Sequence, residues 1–255
     1  PAVITEKQSL TFAQLAKLAA KKAGQIAQMT QKRRVGLLGD NSLTTYVLAL
    51  ALLFSKKTIV WLNFRLSTAE LLAQVSDSQL DLCLVTDELW RSEFTEPFIP
   101  YSKLEASKAP AKELMETVEL DAIASIMYTS GTTGQAKGVL QSFGNHFYSA
   151  VASALNLGLS ANDQWLCAVP LFHISGFSIL MRGLIYGMTV RLVKRFEPRS
   201  VETLLVSEPV TIISAVPYML QELLKELADR NNIQGVIINC LNGWMLNEEI
   251  QSFYD

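Results

Sequence analysis

A largely apolar segment, residues 121–127, runs without interruption into Tyr128-Thr129-Ser130-Gly131-Thr132-Thr133-Gly134-Gln135-Ala136-Lys137-Gly138-Val139. This junction constrains the chain more than any other stretch. A buried strand that ends in a glycine- and hydroxyl-rich loop turns free backbone N–H groups toward whatever lies beyond the sheet edge. Phosphate is the usual occupant of such a concavity. Seven of the twelve residues from Tyr128 to Val139 are Gly, Thr or Ser. Gly131, Gly134 and Gly138 allow close approach of backbone to ligand. Thr129, Ser130, Thr132 and Thr133 offer hydroxyls that rotate to suit phosphate oxygens. Lys137 adds a point charge on a flexible stem. A Walker A loop needs four residues between Gly and Gly-Lys and a Ser or Thr after the Lys. Here Gly138 follows the Lys, so a kinase-like P-loop is disfavoured. The ordinary reading of a generic Gly/Ser/Thr loop is an exposed flexible turn.

Helical and strand patterns alternate along the chain, which predicts an α/β architecture with largely parallel sheets. Thr11-Phe12-Ala13-Gln14 and Ser67-Thr68-Ala69-Glu70 are capping boxes, opening helices to about Met29 and Ser76. Strands are expected over 35–39, 58–61, 82–85, 123–127, 189–193 and 211–214. Asn41 or Ser42 caps the apolar helix that follows the first of these. Residues 145–155 read as helix, and Pro217 opens a helix whose apolar face is Leu220, Leu223, Leu224 and Leu227. Residues 87–118, with Pro97, Pro100 and Pro110, read as irregular linking structure with room for a short helix.

A net charge of −2 with interspersed signs argues against a nucleic-acid surface. Cys83, Cys167 and Cys240 are odd in number, far apart and without a Cys-x-x-Cys pair, which disfavours disulfide and metal sites and fits a reducing cytoplasm. No signal peptide is expected ahead of the first strand-like segment. Residues 46–54 are too few for a membrane span, and residues 169–190 carry Pro170, His173, Arg182 and three glycines. Both read as buried elements. Arg182 lies in an otherwise apolar helix, where a charge is costly unless paired. The alternatives are an internal salt bridge and a substrate carboxylate, whose geometry a guanidinium matches.

The string from Tyr128 to Val139 resembles the signature loop of the adenylate-forming superfamily, which includes acyl- and aryl-CoA synthetases and luciferases. It departs only at Ala136, where the family usually has Pro; the loss should loosen the loop rather than abolish phosphate contact. Leu62-Asn63 and Arg65-Leu66-Ser67-Thr68-Ala69-Glu70 resemble a second family segment. Pro170-Leu171-Phe172-His173-Ile174-Ser175-Gly176 resembles the aromatic-His-x-x-Gly element at the acyl pocket. With Ser178–Gly183, 186–190 and the run from Asn145-His146 to Gly158, the likeness is greatest to the o-succinylbenzoate–CoA ligase group of menaquinone synthesis. It covers nearly all of the chain from Thr11 to Glu248.

The resemblance implies two stacked α/β subdomains, residues 44–168 with the phosphate loop and residues 1–43 plus 169–255 with the acyl pocket. It implies an acyl-adenylate made from an aromatic dicarboxylate and ATP with Mg²⁺, then thioester formation with coenzyme A. Thr129, Ser130, Gly131, Thr132, Thr133, Gly134 and Lys137 would hold phosphate. His173 would wall the pocket at the reacting carboxylate, where proton transfer is unnecessary because the acid is already ionised. Ser175, Arg182 and Gly243 would complete the substrate contacts, and His146 is assigned to helix packing or capping. Leu241-Asn242-Gly243-Trp244 keeps only the glycine of the family's adenine segment. The Tyr-Gly-x-Thr-Glu motif, the ribose-binding Asp and the lid with its lysine are not in these 255 residues, nor is a metal ligand. The expectation is therefore the N-terminal part of a cytoplasmic CoA ligase, unable to complete turnover, with a small carboxylic acid as substrate and a homodimer as its assembly. Another acyl- or aryl-CoA synthetase, and a silent nucleotide-binding or scaffold domain, are the alternatives.

Overall fold

A computed structural model describes residues 1–129, 136–227 and 237–240. The chain opens with two short strands, β1 (Val3–Ile4) and β2 (Ser9–Leu10), and helix α1 (Phe12–Met29). There follow β3 (Arg34–Leu38), α2 (Leu43–Leu53), β4 (Thr58–Trp61), α3 (Thr68–Asp77), β5 (Cys83–Val85), β6 (Phe98–Pro100) and α4 (Tyr101–Glu105). The hairpin strands β7 (Ile123–Thr129) and β8 (Lys137–Ser142) lead into α5 (Phe143–Leu157). The last elements are β9 (Gln164–Cys167), α6 (Ile174–Tyr186), β10 (Thr189–Leu192), α7 (Pro198–Ser207), β11 (Ile212–Ala215), α8 (Pro217–Leu227) and β12 (Ile237–Cys240).

These strands form two six-stranded sheets, in the orders β6-β5-β3-β4-β7-β8 and β12-β11-β9-β10-β1-β2. Among the described strands every pairing is parallel except at one edge of each sheet, where β8 and β2 run antiparallel. A parallel sheet needs cover on both faces, and β4 and β5 are accordingly buried at every position and mostly apolar. Both capping boxes form as expected, with Thr11 and Gln14 opening α1 and Ser67 and Glu70 opening α3. α2 is buried on nearly every side, which is why its sequence is apolar all round rather than striped. The apolar run at 169–190 resolves into a turn, α6 and β10. Among the described residues no helix is long and apolar enough to cross a membrane.

Three expectations change. The boundaries at 43/44 and 168/169 do not follow sheet membership. β3 pairs on both sides within the first sheet, and β9 pairs on both sides within the second. The chain therefore crosses between sheets within 11–33 and again within 143–163, and α1 and α5 span those crossings. A hydrophobic pattern marks a strand as buried but not which sheet it joins. The segment 87–118 is also not wholly irregular. β6 adds an edge strand to β5, a place where Pro100 costs no internal ladder bond. Finally, the string from Tyr128 to Val139 is not one loop, since Tyr128 and Thr129 end β7 while Lys137, Gly138 and Val139 begin β8.

Of the two candidate caps, Asn41 and Ser42, the structure uses Ser42 and gives Asn41 another role. Ser42 caps α2 through Thr45 N–H. The Asn41 Nδ2 group donates to Val169 O at 2.9 Å, and its Oδ1 accepts from Leu171 N–H at 2.9 Å. Both contacts are buried, and they join the segment after β3 to the segment after β9. Asn41→Ala would leave a carbonyl and an amide unpaired. We expect an unfolding free energy lower by about 2 kcal/mol, read from the urea midpoint.

Candidate functional site

Parallel α/β sheets bind ligands beyond the carboxyl ends of their strands, and β7 delivers the glycine- and hydroxyl-rich string there. Thr129 and Lys137 are register partners at the end of the β7–β8 hairpin where the two strands are connected. Residues 130–135, and with them Ser130, Gly131, Thr132, Thr133 and Gly134, lie outside the described residues, as does Gly243. Lys137 is exposed, free of core packing.

Tyr128 fixes this end of the hairpin. Its hydroxyl lies 2.5 Å from Asp77 Oδ2, 2.7 Å from Ser78 Oγ and 3.2 Å from Gln74 O, all at the end of α3. Partial burial, then the bond to Asp77, push its pKa up to about 12, so it stays a neutral donor. Gly138 stands opposite, where a Cβ would meet Ile126 Cγ2 at 3.1 Å and the Tyr128 ring at 3.4 Å. Tyr128→Phe is expected to lower stability by about 1 kcal/mol and to speed amide hydrogen exchange at Thr129 and Lys137. Unchanged exchange would show that α3 does not hold the hairpin.

The second constellation lies between α5 and α6. Ser142 and Asn145 form a further capping box that opens α5 directly from β8. His146 is thereby buried, with its ring edge-on to Phe177 at 4.9 Å. Phe177 in turn meets Trp61 of β4 at 5.3 Å, so α6 is anchored to the first sheet. Ser125 Oγ donates to Gln141 Oε1 at 2.9 Å and lies 3.2 Å from His146 Nε2. With the serine proton committed to Gln141, His146 Nε2–H is the donor. Burial lowers the His146 pKa to about 4, so the ring is neutral. The packing assignment made from sequence agrees with this burial.

A cavity of about 220 Å³ opens beside His146, lined also by Gln141, Asn145, Ser149, Ser178 and Arg182. Arg182 Nη2 is 3.4 Å from Ser149 Oγ, and the guanidinium sits 5.3 Å from the Trp165 ring. Its Nε and Nη1 are buried and have no hydrogen-bond partner among the described residues. Burial lowers its pKa, yet an arginine keeps its charge. The internal salt bridge considered from sequence is absent among the described residues. A half-buried cation is thus left with donors free on the wall of a cavity.

His173 and Ser175 do not line that cavity. His173 is the N-cap residue of α6 and is exposed, with its ring 4.3 Å from Phe172. Partial desolvation and then the Arg65 charge lower its pKa, which favours a neutral ring. The turn that carries it is tight. A Cβ on Gly176 would lie 2.2 Å from Pro170 O, so only glycine fits there. The hydroxyl beside Arg182 belongs to Ser149 rather than the expected Ser175. Asn145, Ser149 and Gln141 were not assigned to the site from sequence; the signal was the three- to four-residue spacing that puts 145, 146 and 149 on one face of α5. No group of three or more His, Cys, Asp or Glu that could hold a metal occurs among the described residues, so the residues described do not by themselves fit a Mg²⁺ site.

Comparison with known proteins bears on the family. The chain matches the family described as AMP-binding enzyme over residues 1–254. It is 41% identical over 226 residues to the 2-succinylbenzoate–CoA ligase of Listeria monocytogenes serovar 1/2a, covering 88% of this chain and 48% of that protein. It is 42% identical over 231 residues to the ligase of that name from Geobacillus kaustophilus, covering 89% and 47%. The chain thus spans about half the length of these curated relatives. Its structure is similar to o-succinylbenzoate CoA synthetase (MenE) from Bacillus subtilis in complex with the acyl-adenylate intermediate OSB-AMP, with a TM-score of 0.83, 40% identity and coverage of 88% of this chain and 60% of that one. It is also similar to the AMP complex of that Bacillus subtilis enzyme, with a TM-score of 0.85, 39% identity and coverage of 92% and 61%. Two parallel-dominated sheets, a hydroxyl-rich string at the carboxyl end of β7 and a family match across the length of the sequence lead to one conclusion: this chain belongs to the AMP-binding enzyme family of adenylate-forming proteins.

Proposed function

We propose that this chain carries the phosphate-holding and acid-holding part of an ATP-dependent CoA ligase that activates o-succinylbenzoate through an acyl-adenylate. The observation that carries the choice of acid is Arg182. A guanidinium with buried, unpartnered Nε and Nη1 on a cavity wall has already lost solvent, and a second carboxylate would satisfy both donors at once. A fatty acid or simple aryl acid has only the reacting carboxylate and no second one to pair with it. The relatives named above support the reading, since their names specify this acid.

Thr129, the segment 130–135 and Lys137 would hold the ATP phosphates, and His173 would stand at the mouth of the acyl site with a neutral ring. Mg²⁺, when bound, would neutralise developing phosphate charge, with ligands from outside the described residues. Coenzyme A would be the thiol acceptor. Cys83 and Cys167 are buried and unpaired, with thiols pushed up to about 12 by burial, which suits a reducing cytoplasmic setting.

The test is pyrophosphate exchange into ATP by the full-length protein, with o-succinylbenzoate, benzoate and a medium-chain fatty acid compared. The dicarboxylate is expected to lead by at least about a hundredfold in kcat/KM, because a site built around a buried polar group rejects analogues that leave it unpaired. Equal exchange with the fatty acid would overturn the assignment of the acid.

A further inference from the structure

A second concavity, of about 470 Å³, opens where the strands of the first sheet begin rather than where they end. Arg33 precedes β3, Lys57 precedes β4, and Ile123 is the first residue of β7. Thr129, where the phosphate-binding string begins, lies at the other end of that seven-residue strand, about 20 Å away at ~3.3 Å per residue. The two places are therefore distinct.

The wall of this concavity carries Arg33, Lys56, Lys57 and Lys112, against Glu119 as its acidic member among the described residues. That excess of positive charge runs against the chain's net charge of −2. Among the described residues none of the four cations forms an ion pair with a carboxylate. Lys57 is buried, and its Nζ is held by Thr30 O at 3.0 Å and Lys32 O at 2.6 Å. Burial and then repulsion from Lys112 lower its pKa, with Asp81 opposing. The neighbouring Lys56 has φ of 65°, an uphill backbone for a lysine. This local chain conformation thus sets adjacent lysines at one concavity where, among the described residues, Glu119 and the more distant Asp81 only partly offset four cations. An anion would relieve that repulsion.

The chemistry of the wall narrows the kind of anion. Lysine ammoniums are compact charges with three rotating donors, which suit the dispersed charge of phosphates better than the plane of one carboxylate. The volume is well beyond that of a bare phosphate and falls within the usual range for small-molecule sites. Met115, Ile123 and Phe143 supply an apolar side against which a ring can lie. We propose that this concavity is a second anion site, separate from the string at 128–139, which takes a diphosphate-bearing small molecule, with the phosphates against Arg33, Lys56 and Lys112.

Calorimetry on this chain tests it, with ADP and inorganic pyrophosphate as separate probes, in wild type, Lys56→Gln/Lys112→Gln and Lys137→Ala. The glutamines keep the stems and remove the charges of exposed side chains, so the fold is spared. The expected result is a binding event that survives Lys137→Ala within about twofold and weakens about tenfold in the double variant, each exposed charge contributing a few-fold. ADP binding tighter than pyrophosphate identifies a nucleotide as the source, with its ring on Met115 and Phe143; equal affinities identify the free diphosphate. The proposal is overturned if neither probe shows a Lys137-independent event, or if that event is indifferent to Lys56→Gln/Lys112→Gln.

Discussion

Arg182→Ala should weaken o-succinylbenzoate binding roughly thirty- to a hundredfold, the equivalent of about 2–3 kcal/mol for charge-assisted hydrogen bonds made in a desolvated site. The size of the effect follows from the unpaired state of the side chain. Nε and Nη1 are buried without partners and Nη2 has only the distant Ser149 hydroxyl, so the cost of removing the guanidinium from water is met before any ligand arrives. A ligand carboxylate then gains nearly the full interaction. The same logic predicts the opposite sign for stability. Removing a half-buried charge that has no carboxylate beside it among the described residues should leave the free protein as stable as wild type or slightly more so, whereas a residue kept for structure would destabilise on removal. Arg182→Lys should recover little, because an ammonium cannot present two parallel donors. Calorimetry with o-succinylbenzoate and a urea titration settle both halves. A dissociation constant within twofold of wild type would sink the role given to Arg182, as would a marked loss of stability with unchanged binding.

Lys137→Ala is expected to slow adenylation by about a hundredfold, a typical consequence of removing one electrostatic contact to charge that develops in a transition state. Lys137 is the first residue of β8, register partner of Thr129, and exposed. Its loss should therefore leave the core intact, and the unfolding midpoint should stay at the wild-type value. The two variants separate the two halves of the site. Arg182→Ala should penalise the dicarboxylate and spare acids that never use the guanidinium, while Lys137→Ala should penalise every acid alike. Pyrophosphate exchange in the full-length protein, measured with a panel of acids, reads the pattern directly. Equal exchange in wild type and Lys137→Ala would remove the lysine from the phosphate site.

Local signals carried much of the architecture. The capping boxes at Thr11 and Ser67 are complete within four residues and need no tertiary partner, so both helices begin where the sequence places them. The strand at 58–61 is buried on both faces and reads as a β-branched and aromatic run, Thr-Ile-Val-Trp. β6 and β8 were not legible for the reason that they are edge strands. One carries Pro100, and the other carries Lys137, Gly138 and Gln141, residues that an interior strand would exclude. Asn41 illustrates a different limit. Beside Ser42 it looks like a helix cap, and only the approach of residues 169–171 gives its amide two better partners.

The site divides along the same line. Sequence by itself determined the family, the alternating α/β order and the glycine- and hydroxyl-rich string proposed to meet phosphate, because each is written in contiguous residues whose chemistry is local. It also singled out Arg182 as a charge in an apolar helix. Only the tertiary structure decided that this charge has no carboxylate beside it among the described residues, that Ser149 and not Ser175 is its hydroxyl neighbour, and which sheet β3 and β9 join. Those facts depend on which helix faces pack together and which strands pair. Packing and pairing are set by burial summed over the whole chain, a quantity that no short stretch contains.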